Sequence, residues 1–452
     1  MKIFAVLKKV CNLNKHRYIN LSPPQLLIIV FVSFALLGTI LLTLPFASTE
    51  TVSVLDALFT ATSAMTVTGL VVVDTGSAYT LFGQIVIMCL IQVGGIGIMT
   101  FAVLIFMMLG RKIGLKERLV LQQALNQTSA GGIIRLVRKI ILFSLIIESI
   151  AFLLLAYRWI PEYGWAQGLF TSVFHSVSAF NNAGFSIWSD SLSQYVGDPV
   201  VNIIITFLFI VGGIGFTVIT DLWYTKEFRR LSLHTKLMLF GTLAINIIAM
   251  FIIFTLEYSN PNTLANLTFG EKAWASYFQA VTPRTAGFNT IDIGVMETSS
   301  ILFILFLMFV GAGSTSTGGG IKLTTFIIII LAVSTFIKGK NEIVVFRRSI
   351  DQKYVYKSLA ISIISILFIF GSLFILNITE QGDFLIILFE VISAFGTVGL
   401  SMELTGDLSP IGKCIIIFIM LLGKLGPLTL AYSLAKPKVG KIKYPNEDVL
   451  TG

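Results

Sequence analysis

The sequence predicts an all-α polytopic membrane protein made of four like repeats. Of its 452 residues, 55% are hydrophobic and only 12% are charged. Soluble domains carry about 25% charged residues, so this composition indicates a protein of the bilayer. Eight apolar stretches are long enough to cross a membrane. A short motif that ends in Gly and a large apolar residue recurs four times, at 66–70, 181–185, 284–288 and 396–400.

The apolar stretches come in pairs. Between the members of each pair lies a mixed segment of about 12–15 residues, which is too short to span and is predicted to be re-entrant. The eight predicted spans are each long enough to cross the bilayer. They cover roughly 25–45, 81–109, 139–157, 200–224, 237–256, 301–335, 357–377 and 411–435.

The four motifs mark a fourfold internal repeat. Their glycines, Gly69, Gly184, Gly287 and Gly399, recur at nearly equal intervals. At one fixed distance before each glycine stands an aromatic residue, and these are Phe59, Phe174, Tyr277 and Phe389. Each repeat has two spans in the same orientation. We therefore expect four M1–P–M2 units (outer helix, pore helix with filter strand, inner helix) around a pseudo-fourfold pore.

A Thr-Val-Gly strand between two membrane helices is the layout of a potassium-channel filter, in which backbone carbonyls replace the water around the ion. Glycine adopts the backbone torsions that such a strand needs. The C-terminal ends of the four pore helices would add partial negative charge. K⁺ is expected to meet only backbone carbonyls of the predicted filter residues, which are Thr66, Val67, Thr68, Gly69, Asn181, Asn182, Ala183, Gly184, Arg284, Thr285, Ala286, Gly287, Gly396, Thr397, Val398 and Gly399.

Charge placement predicts the orientation. Most Lys and Arg residues fall in the two tails and in the loops at 110–139, 225–236 and 336–357, and only Arg158, Lys272 and Lys413 fall on the other side. The positive-inside rule then places both termini in the cytoplasm. The net charge of +9 follows this inner face, so we expect contact with lipid and not with nucleic acid.

These boundaries divide the chain into six parts. They are a basic cytoplasmic N-terminal tail (1–22), repeat 1 (23–110), repeat 2 (139–226), repeat 3 (236–338, with an intramembrane gate loop at 311–321), repeat 4 (357–436) and a cytoplasmic C-terminal tail (437–452).

Each predicted inner helix contains a glycine cluster, and the third cluster is unlike the others. Five glycines and four hydroxyl residues follow one another in the middle of the predicted span. Such backbone must line water or protein, because lipid cannot pair its amides and carbonyls. We predict a flexible gate loop below the filter. A phosphate-binding loop is disfavoured because Gly320-Ile321-Lys322 breaks the Gly-Lys-Ser/Thr ending of that motif and no soluble strand precedes it. The predicted gate residues are Gly311, Gly313, Ser314, Thr315, Ser316, Thr317, Gly318, Gly319, Gly320 and Lys424.

Lys424 lies near the middle of the last predicted span. A charge there costs about 2.5–3.5 kcal/mol on insertion scales, which favours a position facing a wet cavity. It is predicted to act as an electrostatic barrier that helps the gate loop close the pore.

Other polar residues receive simpler predictions. Arg284 is expected to pair with a carboxylate, with Glu390 as the guess, while Glu148 and Asp221 are expected to pair with basic residues near the inner face. His175 is predicted to be a packing residue. Asp56 and Asp383 are predicted to cap pore helices.

With these motifs, the chain resembles the Trk/Ktr/HKT superfamily of potassium transporters, and most of all the membrane (KtrB-like) subunits of bacterial Ktr systems. The resemblance implies a homodimer on a separate cytosolic nucleotide-binding ring (KtrA/KtrC-like), with ATP or ADP on that partner and no cofactor in this chain. Relatives usually carry Arg at the position of Lys424. Sodium-carrying plant relatives commonly have Ser where Gly69 stands, which favours potassium here.

The predicted function is therefore potassium uptake across the bacterial plasma membrane. Symport of K⁺ with Na⁺ or H⁺ stays open as an alternative. A carrier for an organic solute is disfavoured because the four repeats share one orientation. An intramembrane enzyme is disfavoured because His16, His175 and His234 are scattered and no suitable acid pair accompanies them.

Overall fold

The computed structural model describes residues 23–97, 133–427 and Glu447. The predicted N-terminal tail, most of the loop at 110–139 and nearly all of the C-terminal tail lie outside these residues. The described chain is mostly helical. Its helices longer than one turn are α1 (Pro23–Leu42), α2 (Val54–Thr66), α3 (Leu81–Ile96), α4 (Ile133–Tyr163), α5 (Trp165–Phe180), α6 (Pro199–Ile214), α7 (Phe216–Tyr224), α8 (Leu233–Glu257), α9 (Phe269–Val281), α10 (Thr298–Phe309), α11 (Leu323–Ile337), α12 (Gln352–Thr379), α13 (Phe384–Gly396) and α14 (Pro410–Leu425).

One order of elements recurs four times. A helix is followed by a short helix, then by one of the glycine motifs, then by another helix, giving the sets α1–α2–α3, α4–α5–α6, α8–α9–α10 and α12–α13–α14. Each short helix packs against the helix before it. The third helix of each set contacts the short helix of the next set, and α14 contacts α2. The four sets therefore close into a ring.

The short helices α2, α5, α9 and α13 form the centre of this ring, and the C-terminal half of each is buried. The aromatic side chains Phe59, Phe174 and Phe389 are fully buried, as is Phe278 in the third set. Tyr277, the predicted aromatic of that set, is partly buried, and its hydroxyl donates to Thr206 Oγ1 at 3.1 Å.

The starts of the short helices follow ordinary capping rules, with one difference from the prediction. Ser53 Oγ, and not Asp56, caps α2 by accepting from the backbone N–H of Asp56 at 3.1 Å. Asp383 stands at the cap position of α13 but its side chain makes no capping bond. Thr268 and Glu271 form a capping box on α9, and the Thr268 backbone N–H and hydroxyl lower the pKa of the Glu271 carboxyl.

Three of the described helices are long and apolar enough to cross a membrane, and they are α4, α8 and α12. They correspond to the predicted spans at 139–157, 237–256 and 357–377. The predicted span at 200–224 is a bent pair, α6 and α7, with 93° between the two helices. The remaining apolar helices of the described chain are shorter. Eight spans and cytoplasmic termini therefore stay predictions.

The bend has a local cause in the glycine clusters. The last glycines of three clusters, Gly97, Gly215 and Gly426, have φ of 93°, 104° and 86°. An α-helix cannot continue through a residue in this region, and Gly reaches it without steric cost. Each of α3, α6 and α14 therefore ends at the equivalent position.

The predicted all-α class needs one small correction. Two three-residue strands, β1 (Ile343–Val345) and β2 (Arg348–Ile350), pair antiparallel in the basic loop after α11. Phe346 and Arg347 between them have φ of 50° and 61°, which is the conformation of a two-residue type I′ hairpin turn. Phe346 stacks on Phe240 of α8 with ring centroids 5.5 Å apart, so the hairpin is held against the helices.

Candidate functional site

The four motif glycines meet at the centre of the ring of helices. A Cβ added to Gly69 would overlap the carbonyl oxygen of Ala183, and one on Gly184 would contact the Gly287 backbone. A Cβ on Gly287 would overlap Val398 O, and one on Gly399 would overlap Thr68 O. These contacts run from each repeat to the next and close on themselves. We call the four residues the glycine ring.

The backbone is left-handed at the glycine ring, where φ lies between 68° and 90°. A second left-handed residue stands two positions earlier in every motif, and here the residue is not Gly. Val67, Asn182, Thr285 and Thr397 have φ of 58°, 58°, 74° and 50°. Conformations of this kind are costly for residues with a Cβ and cluster at functional sites. The four strands thus share one strained geometry although their sequences differ.

Hydroxyl groups on the short helices hold the strands in this geometry. Ser63 Oγ accepts from the Gly69 backbone N–H at 3.1 Å. Ser178 Oγ donates to Phe185 O at 2.7 Å, and Thr282 Oγ1 donates to Phe288 O at 2.5 Å. These residues were not among the predicted site residues. Their signal was present, because a Ser or Thr precedes every motif glycine by five or six positions.

The predicted gate loop lies directly against the glycine ring motifs. No helix connects Phe309 to Leu323, and Val310 and Ile321 instead form a bridge across the base of the loop. Thr317 Oγ1 donates to Asn182 Oδ1 at 2.8 Å, and the Gly319 backbone N–H donates to Thr397 Oγ1 at 2.8 Å. The non-helical prediction for this segment is therefore confirmed.

The glycine clusters of two other inner helices provide backbone acceptors for the same loop. The N–H of Gly313 donates to Gly213 O at 2.8 Å, and that of Gly320 donates to Gly423 O at 3.2 Å. A Cβ on Gly423 would overlap Phe395 O and one on Gly213 would approach Asn182 Nδ2, so both glycines allow an inner helix to lie close to a motif or its short helix. The loop thus pairs several of its amides with protein groups.

Two lysines hold carbonyl groups of the gate loop. Lys424 Nζ donates to Thr317 O, so the residue predicted to act with the loop contacts it directly. Lys322 Nζ donates to Gly318 O at 2.6 Å and lies 3.4 Å from Gly319 O. Lys322 was not among the predicted gate residues, so this contact was not expected from the sequence. Both ammonium groups lie where they add positive charge beside the loop.

The predicted pairing of Arg284 with Glu390 is wrong. Arg284 Nη1 donates to Asn246 Oδ1 at 3.2 Å, and its Nε has no acceptor among the described residues. Glu390 Oε1 instead accepts from Ser401 Oγ and from Thr405 Oγ1, the latter at 3.0 Å. The carboxylate thus supports the segment that follows the fourth motif.

Two other acidic residues are also paired differently from the prediction. Both carboxylate oxygens of Glu148 accept from Gln92 Nε2 at 3.0 Å. Asn181 Nδ2 in turn donates to Gln92 Oε1 at 2.7 Å, so this buried cluster supports the second motif. Asp221 accepts from the backbone N–H of Ser232 at 2.9 Å and from Thr235 Oγ1. Among the described residues, neither acid forms an ion pair with a Lys or Arg side chain.

His175 is a packed core residue, as predicted. Its ring is fully buried and stacks on Trp188 with centroids 4.4 Å apart. The ring nitrogens are within 2.9 Å of Thr171 O and 3.1 Å of Ser186 Oγ.

The three basic residues assigned to the outer side are each bound to neighbouring groups. Arg158 contacts Asp198 at 2.7 Å, and Lys413 contacts Asp56 at 2.7 Å. Lys272 Nζ donates to the backbone carbonyl of Tyr258 at 3.3 Å and lies 4.1 Å from the centre of its ring. The two ion pairs neutralise much of the positive charge on this side.

Comparison with known proteins finds relatives along nearly the whole chain. The model of the TrkH family, described as cation transport protein, matches residues 4–439. Ktr system potassium uptake protein B of Bacillus subtilis is 58% identical and covers 96% of this chain and 98% of its own. The protein of the same name from Vibrio alginolyticus is 46% identical over 95% of each chain. Potassium/sodium uptake protein NtpJ of Enterococcus hirae is 39% identical, covering 96% of this chain and 98% of its own.

The fold also matches a solved structure. The potassium transporter TrkH from Vibrio parahaemolyticus superimposes with a TM-score of 0.73 over 96% of this chain and 89% of that chain. The two sequences are 21% identical, so this likeness concerns the fold.

Proposed function

Because the chain belongs to the TrkH family of cation transport proteins, we propose that it carries potassium into the cell through one pore centred on the glycine ring. The resemblance predicted from the motifs is thereby confirmed, and the protein is an integral protein of the plasma membrane. Two of the relatives reported above are named for potassium uptake, and the third is named for potassium and sodium.

The closed ring of contacts among the four motifs is the observation that supports this proposal most. The carbonyl oxygens of Thr68, Ala183, Ala286 and Val398 each lie beside a glycine of the neighbouring repeat. Backbone carbonyls in such a ring can replace the hydration shell of a potassium ion. The buried short helices end at the same place, and their C-terminal dipoles favour a cation there. We infer that the predicted filter residues form this site.

The gate loop is proposed to close the path next to the filter. It contacts motifs from two other repeats and carries the ammonium groups of Lys322 and Lys424 against its carbonyls. Positive charge beside a narrow pore opposes the passage of a cation. Potassium would pass when the loop moves away, driven inward by the membrane potential, which is worth about 2.3 kcal/mol per charge and 100 mV.

We further propose that the moving force comes from a separate cytosolic nucleotide-binding ring, on which the chain sits as a homodimer. The names of the Ktr relatives indicate a system of more than one protein. The basic loop that contains the β1–β2 hairpin exposes Arg347 and Arg348, and such a surface can attract an acidic partner.

Rubidium uptake into proteoliposomes tests the proposal. We expect uptake that follows an inside-negative potential, that potassium blocks, and that proceeds with no sodium present. The filter change Gly287→Ser is expected to weaken the preference for rubidium over sodium, because its Cβ would overlap Val398 O and Ser adopts the left-handed backbone less readily than Gly. Uptake that needs a sodium or proton gradient would show symport instead, and no uptake under any gradient would reject the proposal.

A further inference from the structure

The bonds between the gate loop and the motif side chains are shielded from water. Thr317, Asn182 and Thr397 are at most 1% exposed, and Gly319 is buried. Breaking such a bond without a new partner costs the desolvation of the groups left unpaired. The loop is thus fixed to the second and fourth motifs by two contacts that cannot be replaced by water in this conformation.

The two acceptors occupy one equivalent position. Asn182 and Thr397 both stand two residues before a motif glycine, and their left-handed backbones give their side chains the same relation to the strand. Thr285 holds this position in the third repeat, where a Cβ on Gly318 would overlap its hydroxyl oxygen. The loop therefore also approaches that motif closely, which explains a glycine at 318.

The first repeat differs at this position. Val67 has no polar atom in its side chain and packs within an apolar cluster with Met65 and Ala183. The hydrogen-bonding contacts with the loop come from the second and fourth repeats, which follow and precede the first in the closed ring. The loop is therefore held from two opposite motifs.

We propose that Asn182 and Thr397 form a latch that holds the gate loop closed, in addition to lining the filter. The inference rests on the proposed function, since it assigns these side chains a role in closing the same pore. Their side chains are positioning groups, because they bond to the loop, whereas only the backbone carbonyls of the motifs would face the ion. Opening the pore requires both bonds to break, and the lysine contacts do not substitute for them.

Breaking the bond to Asn182 and breaking the bond to Thr397 are expected to disturb the closed loop to different extents. A hydroxyl such as that of Thr317 can rotate toward another acceptor. The N–H of Gly319 is fixed in the backbone and has no such freedom. Loss of the Thr397 hydroxyl is therefore expected to disturb the closed loop more than loss of the Asn182 amide.

The first experiment compares Thr397→Val with Thr397→Ser. Valine has the shape of threonine but cannot accept from Gly319, whereas serine keeps the hydroxyl. We expect rubidium leak without any regulatory partner to rise about tenfold in Thr397→Val, as for a buried donor left unpaired. Thr397→Ser should leak much less than Thr397→Val, because its hydroxyl can still accept from the Gly319 backbone N–H. Equal leak in all three proteins would overturn the latch.

The second experiment is a double-mutant cycle of Asn182→Ala and Thr317→Val. Both single changes remove the bond from Thr317 Oγ1 to Asn182 Oδ1. We expect leak to rise about fivefold in Thr317→Val, at least as much in Asn182→Ala, which also loses the bond to Phe209 O at 3.1 Å, and little more in the double variant than in Asn182→Ala. Independent effects that multiply in the double variant would show that the two side chains do not act through their shared bond.

Two readouts separate a latch from damage to the filter and from failure of the proposed function. Selectivity for rubidium over sodium should stay unchanged in Thr317→Val, which lies outside the four filter motifs, and its loss in that variant would overturn the inference. The rate at which a thiol reagent modifies Ser316→Cys, with Cys11, Cys89 and Cys414 replaced by Ser, reports loop movement without any flux. Thr397→Val should raise that rate about tenfold, by the same loss of one buried bond, and an unchanged rate would contradict the latch whatever ion the protein carries.

Discussion

The second and third inner segments have similar glycine clusters but fold differently. In the second, α6 ends at Ile214 and α7 starts at Phe216, so one residue, Gly215, makes the 93° bend. In the third, α10 ends at Phe309 and α11 starts only at Leu323. The same kind of interruption thus gives a bend in one repeat and a long loop in the other.

The residues after the interruption explain the difference. Gly215 is followed by an apolar segment that resumes the helix at once. Gly313 is followed by four hydroxyl residues and three glycines. Ser and Thr side chains compete for backbone groups, and each Gly costs a helix about 1 kcal/mol relative to Ala. A helix cannot restart until this run has ended.

The two segments also form one unit in space. The Phe216 backbone N–H donates to Thr315 O at 3.0 Å, and the hydroxyls of Thr217 and Thr315 are 2.9 Å apart. The bent segment therefore supports the looped one at its left-handed residue, Thr315, where φ is 60°. The conformation of the gate loop therefore depends on contacts with a neighbouring repeat as well as on its own sequence.

The largest effect is expected from making the third segment shorter. Deletion of Ser314–Gly318 removes the contacts with Asn182 and Lys424 and shortens the obstruction. If about one molecule in a hundred is open in the original protein and nearly all molecules are open in the deletion variant, leak should rise about a hundredfold. Rubidium flux in liposomes without a regulatory partner measures this. A deletion variant that leaks no more than the original protein would refute the assignment of the gate.

A smaller effect is expected from changing the bend itself. Gly215→Ala places a Cβ at φ 104° and against Ser314 O. The left-handed conformation alone costs a residue with a Cβ about 1–2 kcal/mol, so the melting temperature should fall. When Gly215→Ala is combined with Ser316→Cys, the thiol reagent should modify the introduced cysteine faster. Gly371→Ala in α12 is the matched control, because its Cβ would meet no atom of the described residues within 4 Å.

For this control we expect unchanged or slightly raised stability, since Ala favours a helix over Gly. Equal melting temperatures for Gly215→Ala and Gly371→Ala would mean that the bend does not depend on glycine.

The smallest effect is expected from the contact between the two segments. Thr217→Val removes one partly buried hydrogen bond to Thr315, so leak should rise about threefold. Thr220→Val is the control on the same helix, because the hydroxyl of Thr220 bonds within α7 to Phe216 O at 2.9 Å. Leak that rises equally in both variants would assign the effect to α7 itself and not to its contact with the loop.

Much of the fold was readable because it follows local rules. The repeated Gly with an aromatic residue before it predicted four equivalent strands, and the Gly, Ser and Thr run from 311 to 320 predicted a break in the helix. The partners of Glu148, Asp221 and Arg284 were not predictable, because each is paired by a neutral side chain or backbone group from another part of the chain. Charge sign gives no indication of such partners.

The sequence by itself determined where the backbone must leave the helix, since Gly and hydroxyl residues change the local cost of a helical conformation wherever they stand. It also determined that the protein resides in a membrane. A chain with 55% hydrophobic and only 12% charged residues has more apolar surface than a soluble fold can bury, whatever the order of its residues. Only the tertiary structure decided which groups face one another across the ring, such as Thr397 and Gly319 or Thr217 and Thr315. These contacts join residues far apart in the chain, and their geometry depends on the packing of all four repeats together.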